Sequence, residues 1–290
     1  MALFLFCFCL YGLSGPGHSS LADGFVSFLT ARSVYRDHRL SIDQLPAGGM
    51  RPGIDGKSYS VYGPAAALVM IPALAAGDGL PAILQPRVDG TPVDPLRRDE
   101  FWMTFTNAAL MAGVIVLLFR CGIELGASSR AVLAVALSAA LASPLWLYAR
   151  IDSSEALQAL GLLGAFTCLS RWRRDGGLRW LPIAGTFLAV SVAAKFVNFL
   201  CVPWLAILAV GRDDGFTRSS RNLFALLSPV LVAAVLIAEY NDVRFGSPWS
   251  TGYGLGIAYF SHPPVDGAAR LLFHPSYGLL FLPATGSTSA

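Results

Sequence analysis

The sequence predicts an all-α polytopic membrane protein: a transmembrane helical bundle of seven to eight spans, with a long extracytoplasmic first loop carrying juxtamembrane helices. Three observations predict it. The 290 residues are 54% hydrophobic and only 13% charged, where a soluble domain carries roughly 25% charged residues. The mean hydropathy is +0.58. The apolar residues also come in blocks, several long enough to compare with a hydrocarbon core of about 30 Å at about 1.5 Å of rise per residue.

Residues 1–13 are apolar and lead into Ser14-Gly-Pro-Gly17. No Lys or Arg precedes them, so they read as a first transmembrane helix rather than a cleaved signal. Residues 14–100 have mixed polarity. Within them 20–35 reads as a helix, with Leu21, Phe25, Phe28, Leu29 and Ala31 on one side and Ser20 or Asp23 available to cap its start. Residues 36–62 are loop, rich in Gly, Pro and Asp. Residues 63–76 are apolar but short, and Pro72 interrupts them. Phe101 opens a long apolar run to 119. Further runs cover 131–147, 156–169, 180–194, 196–210 and 223–238, and a short one at 277–282 is expected to be the start of a truncated eighth span.

Basic residues orient these blocks. Residues 120–130 carry two Arg, 171–179 carry four and 212–221 carry three, whereas the intervening turns carry one cation each, Arg150 and Lys195. The positive-inside rule places the three basic loops in the cytoplasm. The turn at Asp152, the turn at Lys195 and residues 239–274 then lie outside. Residues 63–76 cannot cross, because the chain must stay outside between the first helix and Phe101. They are expected to form a juxtamembrane helix.

Some function classes fall away. The net charge is +3, with no basic run interleaved with aromatics, so no nucleic-acid partner is expected. The cysteines, Cys7, Cys9, Cys121, Cys168 and Cys201, lie in or beside apolar runs without a CxxC pair and read as packing groups. His18, His38, His262 and His274 have no metal-ligand spacing.

The candidate chemistry sits on the outer side. Pro144-Leu-Trp-Leu-Tyr-Ala-Arg-Ile-Asp-Ser-Ser-Glu155 places Arg150, Asp152 and Glu155 at a tip between two uncharged runs, where charges are costly unless they face water or a ligand. Asp23 follows the first span. Lys57, Lys195, Asp242 and Arg244 complete the set. Cations of this kind can hold a phosphate, and carboxylates can bind a divalent metal or accept a proton from an attacking hydroxyl. Each is also an ordinary solvated residue at a helix end, and Lys195 is explained equally by snorkelling.

The order of elements resembles the GT-C superfamily of membrane glycosyltransferases, in the layout of the protein O-mannosyltransferases and the lipid A aminoarabinose transferase. Asp23 in Ala22-Asp-Gly-Phe25 matches the acid beyond the first helix. Asp152 in Tyr148-Ala-Arg-Ile-Asp-Ser-Ser-Glu155 matches the acid of the next outer turn, and Lys57 resembles a phosphate-holding Lys. The phrases Asp55-Gly-Lys-Ser-Tyr-Ser-Val-Tyr-Gly-Pro64, Ser143-Pro-Leu-Trp-Leu-Tyr-Ala-Arg150 and Tyr240-Asn-Asp-Val-Arg-Phe-Gly-Ser-Pro248 with Thr251-Gly-Tyr253 look like a bacterial branch of the superfamily. The likeness runs over 21–282. The paired acids usual after the first helix are here one, and the further C-terminal helices are lacking, so the resemblance implies a truncated member forming one transmembrane domain over 1–290.

The resemblance implies an inverting sugar transfer from a polyprenyl-phosphate donor to a glycan, lipid or protein acceptor on the outer face of a bacterial-type inner membrane. Asp23 is the expected general base. Asp152, with Glu155, is expected to position a divalent ion (Mg or Mn) or the acceptor. Lys57, Lys195 and Arg244 are the expected phosphate-binding cations. A lipid-linked-sugar flippase and an inactive membrane scaffold remain alternatives. Few charges inside the spans speak against the flippase, and the abrupt C-terminus speaks for the scaffold.

Overall fold

The computed structural model describes residues 1–42, 49–210, 215–253 and 263–274. It is mostly helical, and the chain forms two compact units, Met1–Gly252 and Tyr253–Ala290. Within the first unit, α1 (Ala2–Ser14) ends where Gly15 and Pro16 follow. α2 (Ala22–Asp37) ends at His38, which turns left-handed at φ 55°. Two short helices come next, α3 (Pro64–Leu68) and α4 (Ile71–Gly79), with Pro72 in the first turn of the second. A proline there is tolerated because its missing N–H would have no helical partner, yet it cannot continue the helix before it. The expected single helix at 63–76 is therefore two.

α5 (Pro95–Met103) is capped by Asp94, which accepts from the Leu96 and Arg97 amides at 3.0 and 3.1 Å. It runs into α6 (Phe105–Glu124). α7 (Ser129–Leu141) and α8 (Pro144–Arg150) form a pair bent by 57°. α9 (Glu155–Asp175) follows, stopped by left-handed Gly176. α10 (Trp180–Ala194), a 3₁₀ turn at Phe196–Leu200, α11 (Cys201–Leu208) and α12 (Phe216–Phe245) complete the unit. Two short antiparallel hairpins decorate the first loop. β1 (Met50–Pro52) pairs with β2 (Ser58–Ser60) in the register Met50 to Ser60, and β3 (Arg87–Val88) pairs with β4 (Thr91–Pro92). The second unit contains α13 (Pro264–Phe273).

α6 is the hub of the first half. Its Met111, Ala112 and Ile115 are fully buried against Cys7 and Tyr11 of α1 and Ala136 and Ala140 of α7. The Tyr11 hydroxyl donates to the Ala140 carbonyl at 3.1 Å, so this buried polar group is satisfied. α10 lies between α9 and α12, and Gly185 lets the α12 backbone approach at Leu226, where a side chain would collide. α2, α4 and α5 form their own layer around Val26, Phe28, Leu74 and Met103. Its polar edge is an ion network. Asp99, 2% exposed, accepts from Arg32 at 3.0 Å, Arg36 at 2.7 Å and Arg98 at 3.2 Å, and Asp78 shares Arg36 and Arg98. The Arg36 guanidinium beside Asp78 holds that carboxyl below the usual range.

Among the described residues, two helices are long and apolar enough to cross a membrane, Pro95–Glu124 and Phe216–Phe245. The bent pair Ser129–Leu141 with Pro144–Arg150 makes a third if it counts as one span. Membrane association follows from these helices; the expected seven to eight spans do not. α1 has 13 residues and α10 has 15, so at about 1.5 Å per residue both fall short of a core of about 30 Å. The run at 196–210 is split into a 3₁₀ turn and an eight-residue helix. The run at 277–282 and Arg212 lie outside the described residues. α12 is the least covered candidate span, with Leu231, Val232, Val235 and Leu236 all exposed. An apolar helix uncovered by protein suits a lipid environment.

Candidate functional site

The backbone between α8 and α9 forms the tip on which Asp152 sits. Two groups fix it. Asn107 of α6, buried, donates to the carbonyls of Ile151 and Ser153 at 2.5 and 2.8 Å. Arg150 Nε donates to the Ser14 carbonyl at 2.6 Å, which ties the tip to the end of α1. Ser143 caps α8 through the Leu145 amide at 3.2 Å. A polar amide buried in an apolar helix is kept only when its bonds are made, and here it clamps a turn.

Asp152 is 4% exposed. Its Oδ1 accepts from the Ser20 amide at 3.0 Å and the Ser20 hydroxyl at 3.3 Å, and its Oδ2 accepts a short bond from the Ser19 hydroxyl. Asp152 thus caps the segment entering α2 from another part of the chain. The expected local cap is not made: Leu21 occupies the N-cap position and no side chain serves it. A carboxylate at a helix N-terminus is favoured by the helix dipole, by about 0.3–1 kcal/mol. Contact is made possible by Gly24, where a Cβ would run into the carbonyl and carboxylate of Asp152. Glu100 of α5 completes the arrangement by accepting from the Ser19 amide at 2.7 Å.

Asp23, the residue next to Gly24, is exposed. Its Oδ1 accepts from the Tyr62 hydroxyl at 2.5 Å. Tyr62 is followed by Gly63, whose backbone lies against the carbonyls of Ala193 and Ala194 so closely that a Cβ would collide. The next residue, Lys195, pairs with Glu155 at 3.1 Å. Lys195 closes the C-terminus of α10 and Glu155 opens α9, so each charge meets the favourable end of its own helix dipole. Glu155 stands three residues after Asp152. Asp23, Tyr62, Lys195, Glu155 and Asp152 therefore lie on one ring, closed partly by the contacts Asp23–Tyr62, Gly63–Ala193, Lys195–Glu155 and Asp152–Gly24 and partly by the chain itself between neighbouring residues.

The sequence-predicted residues divide accordingly. Asp23, Asp152, Glu155 and Lys195 are on this ring, and Lys195 and Glu155 pair directly. Lys57 is not: it sits at the exposed turn between β1 and β2 and pairs with Asp55 at 3.5 Å. The Lys57 backbone N–H holds the Asp55 carboxyl below its usual range. Arg244 is not at the ring either. It is fully buried, donates to the Tyr240 carbonyl at 2.9 Å, to Asn241 Oδ1 at 2.8 Å and to the Ser60 carbonyl, and stacks on the Tyr240 and Phe245 rings at 3.5 and 4.6 Å. Ile54 donates to its carbonyl at 3.0 Å. Its role here is to pin the β1–β2 hairpin to α12, since a buried guanidinium so engaged has no open face for a phosphate.

Both Asp152 oxygens accept from Ser19 and Ser20, Glu155 is held by an ammonium, and among the described residues no group of three metal-ligating side chains occurs. A hard cation needs several oxygens converging on one point.

Beside Lys195, an apolar groove of about 300 Å³ opens between α10, the 3₁₀ turn and α12. Val192, Phe196, Phe199, Ile237, Ala238 and Trp249 line it. Of the residues that build this arrangement, Gly24 and Tyr62 stand inside the quoted motifs and Ser20 is a candidate helix cap, while Ser19 and Asn107 carry no signal in the sequence. No protein family, characterised protein or solved structure matches the chain.

Proposed function

We propose that the chain is a membrane glycosyltransferase of GT-C type, moving a sugar from a polyprenyl-phosphate donor to an acceptor hydroxyl on the extracytoplasmic side. The observation that carries the reading is the ring: an exposed, hydrogen-bonded carboxylate, Asp23, is joined through Tyr62 and Gly63 to the end of α10, where a cation, Lys195, is followed by Phe196 of an apolar groove. An amphiphile with an anionic head and a hydrocarbon tail has the chemistry to match the last two. The inner-membrane, multi-pass placement and the seven to eight spans belong to this proposal, and they require the short α1 and α10 to cross where the bilayer thins around them.

In the proposed reaction Asp23 accepts the proton of the acceptor hydroxyl as its oxygen bonds to the anomeric carbon. The bond from that carbon to the phosphate oxygen breaks on the opposite face, and polyprenyl phosphate leaves with the electron pair. Tyr62 orients Asp23. Asp152 holds the start of α2, and through it Asp23, in place; its own oxygens are already occupied. Lys195 exchanges Glu155 for the leaving phosphate, a charge-assisted contact. No step runs through a metal ion.

The test is transfer by the reconstituted protein from radiolabelled polyprenyl-phosphate sugars. Asp23→Asn should lower the rate at least about a hundredfold, in the range general-base removal gives, while the protein inserts and melts as wild type does. Full transfer by that variant would remove the assignment. Donor flipping by the wild type without transfer would favour the flippase instead.

A further inference from the structure

We propose that α13 is a membrane-surface helix, lying along the bilayer interface with Val265 and Leu272 among the acyl chains and Asp266 and Arg270 in water. From Val265 to Phe273 every side chain of this helix is exposed. At 3.6 residues per turn, Val265, Ala268, Ala269, Leu271, Leu272 and Phe273 share an arc of about 200°. Asp266 and Arg270 fall on the other side, four residues apart and opposite in sign. An amphipathic helix with its apolar arc left open needs an occupant.

Three features select the bilayer. The chain crosses the membrane in α12, and residues 246–263 join its end to α13. Even fully extended, eighteen residues reach only about 60 Å, so the helix is held at high effective concentration near lipid. Trp249, 91% exposed, stands four residues past the end of α12, and tryptophan settles at the membrane–water interface. Finally, Asp266 and Arg270 cancel, so the helix offers no net charge to an acidic or basic protein partner, while its apolar arc matches hydrocarbon. The inference is independent of the transferase reading.

The test uses the full chain with its five cysteines replaced, reconstituted into phosphatidylcholine vesicles. A nitroxide is attached at Leu272→Cys or at Arg270→Cys, and its collisions with oxygen and with a water-soluble nickel chelate are measured by power saturation. The Leu272 label should be several-fold richer in oxygen than in nickel collisions, and the Arg270 label the reverse. Adding Val265→Glu should make the Leu272 label nickel-accessible, while a label at Leu231 of α12 stays oxygen-rich and reports intact insertion. Equal nickel exposure at both α13 positions, meaning a helix in water, would overturn the proposal. So would a Leu272 label shielded from both reagents, meaning a helix packed on protein.

Discussion

Replacing Asp152 by Ala removes the group that holds the start of α2 to the tip before α9. Asp152 accepts three hydrogen bonds, from the Ser19 hydroxyl, the Ser20 amide and the Ser20 hydroxyl. Bonds to a charged group contribute about 1.5–3 kcal/mol each, so simple addition gives roughly 5–9 kcal/mol. Two effects reduce that. Ser20 is exposed and Ser19 half-buried, so water replaces part of what the donors lose. The variant also no longer carries the desolvation cost of a buried carboxylate. The expected net loss is about 2–4 kcal/mol, which at about 2–4 °C per kcal/mol lowers Tm by roughly 5–15 °C. Cys7, Cys121 and Cys168 are buried free thiols, so a thiol-reactive dye reads the transition directly in detergent. Asp152→Asn, which keeps an acceptor oxygen and the same shape, should recover about half of the loss. Hydrogen exchange across 19–25 should rise in the Ala variant before any other segment opens. A melting curve unchanged by Asp152→Ala would refute the view that this carboxylate holds α2.

Gly24→Ala should destabilise by about 1–3 kcal/mol despite a helix-propensity gain of up to about 1 kcal/mol, because the new Cβ meets the Asp152 backbone; the same melt checks it. Asp99→Ala leaves Arg32, Arg36 and Arg98 around an empty site and should cost about 3–5 kcal/mol, seen as a lowered melting point and loosened first-loop helices on proteolysis. Lys195→Met breaks a half-exposed pair, so stability should change by less than about 1 kcal/mol while transfer falls sharply. Asp78 is held below its ordinary pKa of about 3.9 by the Arg36 guanidinium, so in acid the unfolded chain takes up its proton first. Its stabilisation is therefore full above about pH 4 and fades as pH falls through the lower folded value, and Asp78→Asn should flatten melting temperature against pH below that point.

The helical class and the membrane character were legible because they rest on composition. Pro72 correctly marked a break, since a proline's missing N–H is a local fact. Span number was not legible. Residues 180–194 form one helix over the whole of the apolar run, 15 residues in both, whereas 196–210 reads as one run but begins as a 3₁₀ turn. Arg244 looked like a loop cation in sequence, and its burial comes from a hairpin nearly two hundred residues earlier that supplies the Ser60 carbonyl. Lys57 pairs with its neighbour Asp55 through a tight turn, a local contact the sequence spacing leaves open. Ser19, Ser20 and Tyr62 are ordinary loop residues until the fold delivers an acid to each.

In the proposed reaction Asp23 and Lys195 stand on one face of the membrane. Sealed vesicles holding a cysteine-free chain, with Asp23→Cys or Lys195→Cys restored singly, can be treated with a membrane-impermeant maleimide from one side at a time. Both cysteines should react from the same side and be spared from the other. Labelling of the two from opposite sides would contradict the ring of contacts and the function built on it.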